Sequence, residues 1–363
     1  MNQLFRWDQT GLFLLALAAG ILPFAVPEVC AAALREGLTL CSGPLLLSLF
    51  PFLVVSRLLI QCPESDLLAL PFRLAAWGIG IRTPCAARVL CIGFLGGFAP
   101  AASAAAQAVR TGQLTAEEAD ALLPACICSG PSFVVLTVGQ SLLGSAELGV
   151  LLFASQITAN YLTAALLNRF AGGSAAPASP APPRLDEILA DAAITYCKLC
   201  GFILFFRMLA AGAGALLPAG AGTLCSILLE VCSGCDLASR TGRWGSLLCC
   251  AALSVQGLSV LLQVRTICPP EMTLRPLYRA RMLHLPLSLA LFYLLLPGGE
   301  ADVFSTLPAR VLLMRRVPPD CALLVFAVCC MAACALRSGI RQVEQKQMAR
   351  NAGGCCINSK TLL

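Results

Sequence analysis

The chain has 363 residues; 58% belong to the apolar classes, 12% are charged, the net charge is +6 and the mean hydropathy is +0.82. A soluble chain of this size typically carries about 25% charged residues to cover its surface, so an ordinary water-soluble enzyme or nucleic-acid-binding domain is excluded and lipid is the simplest surround. The 21 cysteines are odd in number and sit mostly inside apolar runs, where a thiol acts as a small hydrophobe rather than as part of a secreted disulfide framework.

Arg6 followed by an apolar stretch from Gly11 to Val26 resembles a signal sequence without a clear small-residue cleavage site, and predicts a retained N-terminal membrane helix within 1–27. Runs near the length needed to cross about 30 Å of hydrocarbon recur at 11–30, 43–60, 121–139, 146–167, 188–212, 245–264, 282–297 and 320–337. Two further apolar segments are interrupted near their middles: 86–108 by Gly96, Gly97 and Pro100, and 223–239 by Glu230, Ser233, Gly234 and Asp236. Each is long enough to span once or to enter halfway and return as a re-entrant hairpin, and non-helical backbone at membrane depth persists only inside protein or beside a water-filled cavity. Residues 168–185 form a Gly/Ser/Pro-rich linker, and 338–363 a polar tail after a loop and last helix at 298–337.

The two sides of the linker, 28–167 and 186–297, resemble each other. PFLVVSRLLI at 51–60 matches GFILFFRMLA at 201–210, with Phe52/Phe202, Arg57/Arg207 and Leu59/Leu209 identical. Each is followed by an interrupted segment and then by a helix with Gly and Ser two apart, Gly130 and Ser132 or Gly257 and Ser259. Cytoplasmic loops carry excess Lys and Arg. That bias favours inverted halves with both termini inside; it leaves Arg35, Arg240, Arg243, Arg310, Arg315 and Arg316 outside, and the cluster at 310–316 is the discordant piece. The expected fold is therefore an all-α polytopic membrane protein, an inverted repeat of about eight transmembrane helices plus two re-entrant hairpins.

Inverted repeats with broken helices place a substrate site near the bilayer midplane, where half-helix N-termini receive anions. Breaks are expected at Gly96–Pro100, Ser129–Ser132, Ser233–Asp236 and Gln256–Ser259. The solute is expected between the second and the fourth, with Ser129, Ser132, Ser259 and Gln263 as side-chain donors and Gly130 and Gly257 letting backbone approach. Glu230 and Asp236 are the candidate functional carboxylates, since an intramembrane acid is costly unless paired, wet or protonated; Glu230 is expected to take up a proton, to donate to a carbonyl or to pair with Lys198, or else to serve only as a hydrogen-bonding residue at the hairpin tip. Arg57 and Arg207 are expected to snorkel to headgroups, and His284 to sit at a helix entrance. There is no phosphate loop, zinc-hydrolase motif or nucleophile–base pair, and neither an enzymatic activity nor a cofactor is expected.

GFLGGFAPAASAAAQAVRTGQLTAEEADALLPACICSGPSFVV (93–135), LLEVCSGCDLAS (228–239), LSVQGLSVLLQV (253–264) and YRARMLH (278–284) resemble the YlbJ-type sporulation integral membrane proteins of the nucleoside-recognition gate domain group. That resemblance covers most of the chain from about residue 28 to 297. It implies an endospore-forming bacterium, the outer forespore membrane and movement of dipicolinic acid, a small dianion. By position it carries over Gly97, Phe98, Ser129, Gly130, Pro131, Glu230, Gly234, Gly257, Ser259 and Gln263, while Ser103 stands where the family has a basic residue. The expected partners are a small anionic solute, the lipid bilayer and a co-transported proton or cation, not nucleic acid. The alternatives are a nucleoside or metal-ion permease, and a non-transporting membrane subunit that docks a partner.

Overall fold

The computed structural model describes residues 9–167 and 184–296, and its regular structure among them is entirely helical. The linker at 168–183, the last span at 320–337, the Arg310–Arg316 cluster and the tail lie outside the described residues. Among the described residues four helical stretches are long and apolar enough to cross a membrane, Pro27–Leu47, Ala146–Leu167, Leu185–Leu216 and Gly242–Ile267. Large apolar side chains cover the outside, among them Phe24 (88% exposed), Leu294 (77%) and Leu47 (72%). These exposed apolar side chains and the four stretches are compatible with a membrane protein.

The expected first span, 11–30, is cut short. Helix α1 (Gln9–Ala25) ends because Pro27 disfavours the helical region for Val26, whose φ/ψ is −139°/63°. Pro27 then opens α2 (Pro27–Ser42), where its missing N–H costs nothing. Residues 31–42, expected between spans, are thus helical, and Gly43 joins α2 to α3 (Pro44–Gln61). After a short helix α4 (Arg73–Gly78), α5 (Pro84–Gly96) and α6 (Phe98–Arg110) meet at Gly97. They fold back on each other: a Cβ on Gly93 would stand 3.2 Å from that of Ala101.

Helix α7 (Ala116–Cys126) carries a reciprocal cap in which the Thr115 hydroxyl accepts from Glu118 N and Glu118 accepts from Thr115 N. Residues 127–131 interrupt it, and a π-helical segment, Ser132–Leu142, continues the course. That segment lies backbone to backbone on α8 (Ala146–Leu167), because Gly139 and Gly149 leave no side chain between them.

The second half repeats this order. Helix α9 (Leu185–Leu216) is followed by α10 (Ala219–Leu229) and α11 (Val231–Ser239), which fold back about Glu230 so closely that a Cβ on Gly234 would stand 2.8 Å from the Ile227 Cα. Next come α12 (Gly245–Val255) and α13 (Gly257–Ile267), separated by Gln256, and then α14 (Arg275–Leu295). The interruption expected over Ser233–Asp236 is confined to Glu230, and Ser233, Gly234 and Asp236 are helical. That is one residue of broken backbone, not four.

The chain α2–α3 runs antiparallel to α9. Gly37 lies against Leu204 and Arg207, the Cys41 carbonyl accepts from the Tyr196 hydroxyl, Phe50 meets Tyr196 edge-on at 6.2 Å, and Arg57 reaches Asp191. The stretches 51–60 and 201–210, alike in sequence, therefore sit on antiparallel elements.

A cation-rich cavity beside a closed junction of broken helices

Each hairpin tip docks on the broken helix that follows it in the chain. Gly97 (φ +79°) packs on the 127–131 break, where an added Cβ would stand 2.7 Å from Gly130 N. Gly257 (φ +70°) packs on the other tip, with a Cβ position 2.9 Å from Glu230 N. These two positive-φ positions are where the chain needs glycine, for both conformation and space. Phe98, which opens α6, is half-buried, as are Gly130, Pro131 and Ser132, whereas Ser129 is buried. A Cβ on Gly130 would find its nearest neighbour at 3.5 Å, so there is room there.

Between the two breaks, where the sequence places the solute, the structure has protein-to-protein hydrogen bonds. The Ile127 carbonyl, at the C-terminal end of α7, accepts from Gln256 Nε2 (3.4 Å), from Asn160 Nδ2 (3.2 Å) and from the Arg281 guanidinium. Arg281 also donates to the Ser254 carbonyl at the end of α12 (3.4 Å). One buried cation thus faces the C-terminal carbonyls of both interrupted helices, each worth roughly −0.5 charge, which accounts for a guanidinium that pairs with no carboxylate among the described residues. His284, expected at a helix entrance, lies in the interior of α14, 1% exposed, with Nε2 3.2 Å from the Gln156 carbonyl. Gln156 in turn donates to Ser254 (2.9 Å), and Ser254 and Ser288 share a hydrogen bond.

Glu230 finds its partners locally. Its backbone is extended, and its carboxylate accepts from Cys232 N (2.8 Å), Ser233 N (2.7 Å) and Ser233 Oγ (2.9 Å), capping α11. The neighbouring backbone N–H groups hold the charge, rather than Lys198. Asp236 is not a buried acid, since it pairs with Arg240 one turn on at 2.7 Å, both partly exposed.

The two arginines do not snorkel. Arg57, whose side chain is 6% exposed, ion-pairs with Asp191 at 2.6 Å and donates to Thr195 Oγ1 and Ser103 Oγ, both at 3.1 Å. Arg207, with a side chain 10% exposed, ion-pairs with Glu36 at 2.8 Å. Both guanidiniums face the opposite half rather than headgroups, because the antiparallel run of α2–α3 along α9 brings each to a carboxylate of the other half. Hydropathy alone carries no sign of these cross-half pairs, and neither acid stands out in the sequence.

A cavity of about 350 Å³ lies between α3 and α6 of the first half and α9 and α13 of the second. Its polar lining is Arg57, Arg110, Asp191, Thr195, Lys198 and Gln263, together with Thr266. Three cations face one carboxylate. Gln263 is 2% exposed; its Nε2 donates to Ser259 Oγ at 2.9 Å and its amide oxygen has no partner among the described residues. Of the expected solute residues, Gln263 lines the cavity, while Ser103 and Ser259 stand one hydrogen bond behind Arg57 and Gln263. Sequence reasoning misses Arg110, Lys198 and Asp191 as residues of one shared wall. No family model, curated protein or solved structure matches the chain.

Proposed function

We propose that this chain is a membrane transporter or facilitator that passes a small carboxylate between two inverted halves, with about eight spans and with the α5–α6 and α10–α11 pairs as hairpins entering from opposite faces. The observation that carries this reading is the cavity between the halves, where three cations face one carboxylate. Arg57, Arg110 and Lys198 offer more positive charge than Asp191 neutralises, and arginine and lysine recognise carboxylate oxygens through charge-assisted hydrogen bonds. The antiparallel course of the two sequence-related stretches supports inversion. By the family resemblance the solute is dipicolinate and the membrane the outer forespore membrane.

The test is uptake by purified protein in liposomes, with dipicolinate, a nucleoside and a divalent metal ion as parallel probes. Arg110→Gln and Lys198→Gln, both on the cavity wall, should each raise KM for dipicolinate about tenfold, the size of one lost charged hydrogen bond. Uptake of the nucleoside or the metal alone would move the protein to the permease alternatives. The closed junction at Ile127 favours a second reading, a non-transporting subunit that docks a partner, and liposomes that take up none of the probes would favour it.

A further inference from the structure

The two ion pairs cross between the halves in opposite senses, with the arginines, though not the acids, at matching positions of the sequence repeat. Arg57 of the first half holds Asp191 of the second, and Arg207 of the second holds Glu36 of the first. In both pairs the arginine is buried and the acid is mostly exposed, with side-chain exposures of 6% against 58% and 10% against 61%. This asymmetry matters physically. A buried guanidinium left without an anion is strongly unfavourable, whereas an exposed carboxylate released from its partner is simply hydrated. Exchanging the tethered carboxylate for a solute carboxylate therefore preserves a charged hydrogen bond at each arginine at little cost.

The environments also differ in a way that suits alternation. Arg57 opens on the cavity. Arg207 is enclosed, with Gly37 packed against its side chain, and its Nε is buried without a hydrogen-bond partner among the described residues. Along α9 the sites at Asp191 and Arg207 are separated by about 24 Å at the helical rise per residue, most of the hydrocarbon thickness of about 30 Å.

Resting on the transport reading above, we propose that Asp191 and Glu36 are tethered competitors of the solute. Each occupies the arginine of the opposite half when no solute is there, and the incoming carboxylate displaces Asp191 from Arg57 at one face and Glu36 from Arg207 at the other. The two acids thereby set the affinity on the two faces separately.

The experiment uses the full chain carrying Asp191→Asn or Glu36→Gln, each of which removes an exposed carboxylate and frees the buried arginine it holds. Equilibrium binding of dipicolinate in detergent is measured beside sided uptake in liposomes, with thermal stability recorded with and without dipicolinate. Asp191→Asn should bind dipicolinate about tenfold more tightly, lower KM on the face where α9 begins, and gain more thermal stability from dipicolinate than the unaltered chain does. Glu36→Gln should lower KM on the other face only. A purely structural ion pair predicts instead lower stability with binding unchanged or weaker. That result, or equal effects on both faces, overturns the proposal while leaving transport intact. Tighter binding in the variants of a chain that moves no solute would retain the competitor role and remove the transporter reading. If dipicolinate binds neither the unaltered chain nor either variant, both fall.

Discussion

At the residue scale, three glycines that look alike in sequence have different roles. Gly97 and Gly257 adopt φ of +79° and +70° with backbone atoms within 3 Å of any added Cβ, whereas a Cβ on Gly130 would meet its neighbours at ordinary van der Waals distances of 3.5–3.7 Å. Gly97→Ala and Gly257→Ala must accept both a left-handed side-chain residue and a clash with neighbouring backbone, and each should destabilise the protein by about 2–3 kcal/mol. Gly130→Ala should change stability by less than about 1 kcal/mol. Thermal unfolding in detergent separates them. Equal losses at all three positions would show that crowding at the tips is not what glycine relieves.

Spacing alone marks these glycines in the sequence, and spacing cannot tell a turn that needs glycine from a contact that tolerates it. The same limit applies to charge. Arg57 and Arg207 are legible as equivalent positions because their flanking residues match, but their partners Asp191 and Glu36 are distant in sequence and adjacent only once α2–α3 lies along α9.

At the element scale, interruptions are the most legible feature, because clustered proline, glycine and polar residues weaken an apolar helix at the point where they fall. The breaks at Gly97, 127–131, Glu230 and Gln256 lie within or beside the segments that the sequence marks. Helix α2 is not legible, because Arg35, Glu36, Thr39 and Ser42 lower its hydropathy and one face packs on α9 instead of on lipid. Glu230 also changes meaning. As the cap of α11, with its carboxylate on two backbone N–H groups and a hydroxyl, it has a sufficient structural role. Glu230→Ala should cost about 1–2 kcal/mol, the usual size of a lost side-chain cap, while Glu230→Gln, which keeps one acceptor, should cost less. Stability of the two variants in detergent checks this. A Gln variant as unstable as the Ala variant would show that the charge, rather than the hydrogen bonds, holds the hairpin tip.

At the scale of the whole molecule, the question is whether the halves are parallel or inverted, and equivalent loops decide it. Gly112 follows the first hairpin and Gly242 follows the second, both with positive φ, and Gly242 has open space around it. Inverted halves put these two loops on opposite membrane faces, and parallel halves put them on the same face. The antiparallel pairing of Gly37 with Arg207, Phe50 with Tyr196 and Arg57 with Asp191 points to inversion, because equivalent stretches related by an in-plane twofold axis must run in opposite directions. The distribution of Lys and Arg points the same way and assigns the Gly112 loop to the cytoplasmic side. A short biotin-acceptor tag inserted at Gly112, at exposed Glu271, at Gly144 and at Gly242 provides four reporters. Cytoplasmic biotinylation is expected at Gly112 and Glu271 and is expected to fail at Gly144 and Gly242, provided each tagged chain still inserts and purifies as a single species. Modification at Gly112 and Gly242 alike would make the halves parallel. The twofold relation between the halves would then be lost, and with it the alternation argued from the crossed ion pairs.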